Sequence, residues 1–320
     1  MISVALCTYN GEQYINEQLE SIVNQTILVD EIVVCDDGST DNTIHIVQTF
    51  ATQHQNISFK IIINNINIGV RRNFEKALKL CEGEIKFLSD QDDIWMPNKA
   101  ETVIEYFRKN PDKNIVMTNA VLIDENNKIL TDKTLFDCVG LTKKILSEAT
   151  NDNIVDLFLN SNRATGATMA IRKNVNLITN YNTPILHDYI LAIEALSHNS
   201  LGIIIQPLIQ YRIHKKQERG IGDEIGNPLN DNIYELKYEY FGDYPLPRIF
   251  LNKITMRDKR YKWMSGLRGV LSIIYNWRLY KKTYPTLWMS YIKTDINHTI
   301  GLYKNRQSQK KCKQINTKKG

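Results

Sequence analysis

Apolar residues fall along this chain in two alternating rhythms. Over residues 1–125, short unbroken apolar runs alternate with stretches whose apolar positions recur every three or four residues. Those are the patterns of buried strands and one-sided helices. The runs predict strands at Ile2–Cys7, Glu31–Cys35, Ser58–Ile63, Glu84–Leu88 and Ile115–Ile123. Between them, Glu12–Gln25 reads as a helix with Tyr14, Ile15, Leu19, Ile22 and Val23 on one face. Ser39 or Thr40 is suited to cap a second helix reaching Ala51. Val70–Cys81 is a third, and Pro97 opens a fourth that ends near Asn110-Pro111. Strands alternating with helices predict an α/β fold, a mostly parallel Rossmann-like sheet with helices on both faces.

Past residue 124 the rhythm loosens. Helices are expected at Glu148–Asn160 and His187–Ser197, and strands at Thr168–Arg172 and Leu201–Arg212. Pro207 interrupts the last strand, so an edge or a bulge is expected there. Gln217–Asn232, with three glycines and Pro228, reads as a loop. From Ile233 the chain is helical, basic and aromatic, and residues 307–320 have the composition of a disordered basic tail. The expected organisation is one large domain over 1–232, divided into halves 1–125 and 126–232, followed by a basic aromatic helical region over 233–306.

Composition narrows the classes. A chain of 320 residues with 42% apolar residues can bury a sizeable core. Its five cysteines are scattered without a Cys-x-x-Cys pair, which argues against a disulfide framework or a structural zinc site. Met1 leads straight into an apolar run with no basic n-region, so no signal peptide is expected. The apolar runs are also far shorter than the ~20 residues that span a bilayer. The net charge of +5 hides an asymmetry: residues 251–320 carry 17 Lys or Arg against two acids, a balance of +15, and the rest carries −10. Such a split points to a module that meets a polyanion.

Candidate chemistry gathers where three strands end. Ser89-Asp90-Gln91-Asp92-Asp93-Ile94-Trp95 sets three carboxylates within four positions after an apolar run. Carboxylates this close raise one another's pKa unless something positive sits between them. A divalent cation bound to a diphosphate is one such object; a solvated acidic turn is the other reading. Thr8-Tyr9-Asn10 and Asp36-Asp37-Gly38-Ser39 follow the first and second strands, beyond the carboxyl ends where α/β folds bind ligands.

Together with Asp30-Glu31-Ile32-Val33-Val34-Cys35, Asn67-Ile68-Gly69-Val70-Arg71-Arg72-Asn73-Phe74 and Trp95-Met96-Pro97-Asn98-Lys99, these segments resemble the family 2 glycosyltransferases of the GT-A fold. Order and spacing match over roughly residues 1–125. The Ser-Asp-Gln-Asp-Asp-Ile-Trp version, with His187-Asp188 and Tyr211-Arg212-Ile213-His214 downstream, is similar to the rhamnosyltransferase-like branch that builds bacterial surface polysaccharides.

The resemblance implies an inverting, metal-dependent transfer from a nucleoside-diphosphate sugar, at best guess dTDP-β-L-rhamnose, to a saccharide acceptor carried on a polyprenyl diphosphate. The alternatives are a UDP-hexose or UDP-N-acetylhexosamine donor, and a non-catalytic relative that binds saccharide or a partner. Thr8, Tyr9, Asn10, Asp36, Asp37, Arg71, Arg72 and Asp90 would meet the nucleotide. Within that set Tyr9 would stack on the base, Asp37 would accept from the pyrimidine imide and Asp90 would reach the ribose. Asp92 would be the main ligand of Mg²⁺ or Mn²⁺. Asp90, His214 and Asp93 would assist, the last because one extra residue separates Leu88 from the Asp-x-Asp pair. Gly166, Ala167, Thr168 and His187 would border donor sugar and acceptor, and Asp188 would be the catalytic base. A plain helix-start aspartate, an N-cap or turn aspartate before Gly38, and an isolated surface histidine are the unliganded readings of Asp188, Asp37 and His214.

The basic end interleaves Trp263, Trp277, Trp288 and several tyrosines with Lys and Arg. Each cation near an anionic leaflet contributes roughly 1 kcal/mol. The expected location is therefore the cytoplasmic face of the cell membrane, held peripherally. No nucleic-acid reading motif accompanies the charge, so no nucleic acid is expected.

Overall fold

The computed structural model describes residues 1–160, 162–175, 185–215 and 217. The Gln217–Asn232 loop beyond its first residue, the basic region and the tail lie outside the described residues. So does the 232/233 boundary. Among the described residues, Met1–Lys143 together with those from Asn160 to 217 forms one compact unit, and Lys144–Leu159 belongs to a second.

The first unit is built on a nine-stranded mixed sheet. Its opening half runs β1 (Ile2–Thr8), α1 (Ile15–Val23), β2 (Glu31–Asp36), α2 (Thr43–Gln53), β3 (Ser58–Ile63), α3 (Val70–Leu80) and β4 (Ile85–Ser89). These strands lie in the order β3-β2-β1-β4, every pairing parallel. Val4, Ala5, Leu6, Ile32, Val33 and Val34 are wholly buried, as continuous apolar runs require in a sheet covered on both faces. The order reverses at β1: β2 lies on one side and β4 on the other. Right-handed crossovers then put α1 and α2 on one face and α3 on the opposite face. The switch point between the carboxyl ends of β1 and β4 is where such sheets bind ligands.

The second half continues with β5 (Ile94–Trp95), α4 (Lys99–Lys109), β6 (Ile115–Ile123), β7 (Ile129–Thr134) and α5 (Leu135–Cys138); α6 (Lys143–Glu148) and α7 (Asn151–Asn160) then follow, falling almost wholly in the second unit. After a 3₁₀ turn at Gly166–Thr168 come β8 (Met169–Arg172), α8 (His187–Ser197) and β9 (Leu201–Arg212). β8 runs antiparallel to both β4 and β6, joining the halves, and β9 runs parallel to β6. The β6–β9 register shifts around Pro207, so the proline marks a bulge.

Several boundaries differ from expectation. α1 starts at Ile15 rather than Glu12 because the Gly11 carbonyl accepts from both Tyr14 and Ile15, making residues 12–14 a turn. Asn42, not Ser39 or Thr40, precedes α2. Ser39 is bonded to Asp36, and the Thr40 amide donates to Asn10 Oδ1 at 2.8 Å. α7 begins at Asn151, three residues after the expected start. β5, β7, α5 and α6 were not anticipated.

Candidate active site

Three loops meet beyond β1, β2 and β4. In the sheet register Thr8 pairs with Asp36, and Leu6 with Ser89, so the segments that follow emerge side by side. Tyr9 is 41% exposed at the first. Asn10 takes φ 47° and is bonded on both sides to the Ser39-Thr40 segment, through its amide to Ser39 Oγ and its Oδ1 to Thr40 N.

The aspartates of the second loop do different work. Asp36 is buried, and its two oxygens accept from Gly38 N, Ser39 N, Ser39 Oγ and Thr8 Oγ1, which fills its acceptor capacity. Asp37 accepts from Asn64 Nδ2 and Ile68 N on Oδ1 and from Gly69 N on Oδ2. Three of its four acceptor positions are taken, leaving one on Oδ2. Asn64 is itself held by Asn73 and by Lys76, so a buried amide network orients the Asp37 carboxylate. Gly69, at φ 84°, adopts the left-handed backbone that glycine accommodates best, and hands the chain into α3. Arg71 pairs with Glu75 at 2.7 Å, while Arg72 is exposed.

The acidic loop is pinned from three sides. Gln18 Nε2 donates to Ser89 Oγ and to the Asp90 carbonyl. Gln91 bonds the Tyr9 main chain twice, accepting from its N–H at 2.8 Å and donating to its C=O at 2.9 Å. Arg212, only 1% exposed, donates from Nε to the Asp92 carbonyl at 2.7 Å. It also donates from Nη1 to Asp124 O and Asn127 Oδ1, and from Nη2 to Glu17 at 2.7 Å. Its guanidinium lies 4.5 Å from the centre of the Tyr14 ring. Trp95 is buried against Phe87 at 5.2 Å, and Lys99 sits over the Trp95 ring at 4.1 Å.

Asp90, Asp92 and Asp93 face different surroundings. Loss of water, then the Asp92 and Asp188 charges, push the part-exposed Asp90 up to about 8, with Lys99 opposing. Burial, then the Asp92 and Asp90 charges, hold Asp93 well above the ordinary carboxylate range; its Oδ1 accepts from Arg212 N at 3.0 Å and its Oδ2 has no partner among the described residues. Asp92 Oδ2 lies 2.8 Å from His214 Nε2. Lys99 is fully buried, and burial brings it down to about 7 despite the Asp93 and Asp90 charges. Its ammonium donates to the Ala167 carbonyl at 2.9 Å, tying the acidic loop's countercharge to the Gly166–Thr168 turn.

That turn leads to α8. Asp188 is 7% exposed in the first turn of the helix. Its Oδ1 accepts from Tyr189 N at 2.6 Å and Asn162 Nδ2 at 3.2 Å, and the Gly166 backbone adds a further bond. Burial outweighs these bonds and lifts the carboxyl to about 6. His187 stacks on Phe74 at 4.2 Å, with both ring nitrogens buried and unpartnered among the described residues. Burial, with Arg71 adding to it, lowers this imidazole to about 3, so it is neutral. A Cβ on Gly166 would come within 2.7 Å of His187 Nε2, so the bare backbone permits this approach.

A family model described as Glycosyl transferase family 2 matches residues 3–176, more than half the chain. The chain belongs to glycosyl transferase family 2. The transferase is 29% identical over 265 residues to an uncharacterized glycosyltransferase of Haemophilus influenzae, covering 81% of this chain and 77% of that one. It is 26% identical over 268 residues to an Escherichia coli enzyme, UDP-Glc:alpha-D-GlcNAc-diphosphoundecaprenol beta-1,3-glucosyltransferase WfgD, covering 76% of this chain and 93% of the relative. Among solved structures, S. aureus TarS 1–349 in complex with UDP-GlcNAc superposes with a TM-score of 0.51 at 19% identity, over 68% of this chain and 59% of that one. The fold is thus GT-A-like, and the enzyme moves a sugar from a nucleotide donor.

For a divalent cation, the transferase offers carboxylates and one imidazole, a donor set that Mg²⁺ or Mn²⁺ accepts. Among the described residues no group of three or more His, Cys, Asp or Glu is gathered in metal-holding geometry. Asp92 and His214 touch; Asp93 is bonded to β9. Mg²⁺ and its like are commonly held by one or two carboxylates plus substrate phosphate, so Asp92 fits a cation that arrives with its diphosphate, and His214 beside it adds a softer donor. No described helix is long and apolar enough to cross a membrane.

Gln18, Asn64, Gln91, Lys99 and Arg212 had no site role in the sequence reading, although each holds a site residue. Only the two cations left a signal: a charge inside an otherwise apolar strand or helix start must find a partner.

Proposed function

We propose that this transferase inverts the anomeric centre of a pyrimidine nucleoside-diphosphate sugar, with Asp188 as general base. What carries the reading is the closeness of Asp188 to the acidic loop: Lys99, packed over Trp95 at that loop's end, donates to the Ala167 carbonyl of the turn that lies against His187, the residue before Asp188. Donor phosphate and acceptor hydroxyl then share one cleft. A carboxyl lifted to about 6 is ionised at neutral pH and still basic enough to take a hydroxyl proton. The acceptor oxygen bonds to the anomeric carbon, the bond to the diphosphate breaks with its electron pair, and the hydroxyl proton ends on Asp188. Bound Mg²⁺ or Mn²⁺ supplies Lewis-acid stabilisation of the leaving diphosphate.

The remaining residues bind and orient. Tyr9 presents an open ring face for stacking on the base. Asp37 offers its last acceptor position to the imide N–H, and Asp90 faces the ribose. Arg71 and Arg72 supply positive charge toward the diphosphate. Asp92 and His214 hold the cation. Gly166, Ala167, Thr168 and His187 border the transferred sugar.

The motif resemblance favours L-rhamnose from dTDP-β-L-rhamnose. A UDP-hexose is the second reading, favoured by WfgD, whose name gives UDP-Glc as donor and a diphosphoundecaprenol-linked acceptor. That name also supports a lipid-linked acceptor here, which the basic residues 233–306 would meet at an anionic membrane surface. Hydrolysis and transfer are to be measured over a panel of nucleotide sugars with Mn²⁺ or Mg²⁺, then with chelator. Metal-dependent release of dTDP from dTDP-rhamnose alone supports the first donor, and release of UDP from a UDP-sugar replaces it with the second. Turnover that ignores the chelator removes the cation from the mechanism.

A further inference from the structure

Gln91 has no role in the chemistry above, yet it joins the two sides of the donor site. Its side-chain amide pairs with the Tyr9 main chain in both directions, 2.8 Å and 2.9 Å, as a neighbouring strand would. Tyr9 follows β1, and Gln91 lies between Asp90 and Asp92 in the loop that follows β4. The clamp therefore closes across the switch point of the sheet. Gly11 makes room for it: a Cβ there would sit 2.0 Å from Gln91 Oε1. Among the described residues no other hydrogen bond holds the Tyr9 backbone to the acidic loop, and the neighbouring Asn10 is committed instead to the Ser39-Thr40 segment.

We infer that Gln91 is a positioning residue that couples nucleobase binding at Tyr9 to cation binding at Asp92. A cation that draws Asp92 into place fixes the loop carrying Gln91, and the amide passes that order to the Tyr9 backbone and so to the ring that meets the base. The reverse follows by linkage, since two sites joined by one element strengthen each other by the same factor. An alanine at 91 leaves Asp92 and Tyr9 in the chain but removes the element between them. This inference rests on the proposed roles of Tyr9 and Asp92.

The test is calorimetric titration of the full chain with UDP, dTDP and inorganic pyrophosphate, each with and without Mn²⁺. In the wild type, Mn²⁺ is expected to tighten the better nucleotide by about tenfold or more, within the usual range of coupling between sites. Gln91→Ala is expected to cut that factor to about twofold while pyrophosphate with Mn²⁺, which does not engage Tyr9, binds as in the wild type. Gly11→Ala, which displaces the Gln91 side chain, should reproduce the loss alone and add nothing on top of Gln91→Ala. Coupling retained in Gln91→Ala overturns this inference and leaves the cation and base roles standing. A wild type that binds UDP and dTDP equally with and without Mn²⁺ overturns the cation role and this inference together. Equal loss of pyrophosphate binding in the variant shows general damage to the acidic loop and also rejects the coupling.

Discussion

Replacing Asp188 with asparagine should separate folding from catalysis, and in opposite directions. The side chain is 7% exposed and its Oδ1 accepts from Tyr189 N and Asn162 Nδ2, bonds that an amide oxygen keeps. What the amide cannot do is take a proton, and a lost general base costs about 10²- to 10⁴-fold in rate. Stability moves the other way. Burial raises the carboxyl from 3.8 to about 6 in the folded chain. Below the unfolded value both states are protonated and the group is neutral in its effect. As pH rises through the folded value, the fold must carry a charge that the unfolded chain ionises more readily. Two pKa units correspond to roughly 3 kcal/mol lost to the wild type above that range, and Asp188→Asn never incurs it. Melting curves from pH 4 to 8 should therefore show the variant gaining on the wild type as pH increases. Wild-type kcat/KM should fall about tenfold per unit below pH ~6, as expected for an essential base. A variant with near-wild-type kcat, or one that is inactive only because it melts early at pH 8, would refute the assignment.

Other outcomes follow from the neighbouring charges. Arg212→Met strips four side-chain hydrogen bonds and leaves the buried Asp92 carbonyl short of a donor; a loss of about 3–5 kcal/mol is expected, read by urea unfolding. Arg212→Lys keeps the charge but not the fork, so it should recover only part of that. Asp90 and Asp93 are raised by burial and by neighbouring carboxylates, so a cation held at Asp92 beside them should draw protons off and bind more tightly as pH rises toward about 8. Titrations with Mn²⁺ and nucleotide in two buffers of different ionisation enthalpy measure that release, and no difference between buffers would contradict it.

Much of the fold was legible because burial leaves a periodic trace. His187–Ser197 and Leu201–Arg212 were read with the limits they have, since each is a long apolar stretch with a clear start. β5 was missed because two residues, Ile94 and Trp95, carry no period at all. β7 was missed because Ile129–Thr134 is mostly exposed, so nothing forces its apolar and polar positions to alternate. The turn before α1 was read as helix for a related reason: its apolar Tyr14 falls in phase with the helix that follows, while the Gly11 bonds that define the turn leave no mark on hydropathy.

The site was legible in its carboxylates and illegible in what holds them. An aspartate in a loop can serve a ligand or the backbone, and residue type does not separate the two. Asp36 turns out to be saturated by its own loop and Thr8, whereas Asp37 beside it retains an acceptor position. The supports are harder still, because they join positions far apart: Arg212 and Glu17 are 195 residues from each other, and Gln91 and Tyr9 are 82 apart. No local window contains both ends of such a pair. Yet a buried charge cannot be neutral in its consequences, since desolvating it costs several kcal/mol unless partners are waiting. Lys99 at 0% exposure and Arg212 at 1% therefore require acids and carbonyls around them. In this chain those partners are the Ala167 carbonyl for Lys99, and for Arg212 the Asp92 and Asp124 carbonyls, Asn127 and Glu17, so the buried cations brace the acidic loop from beneath.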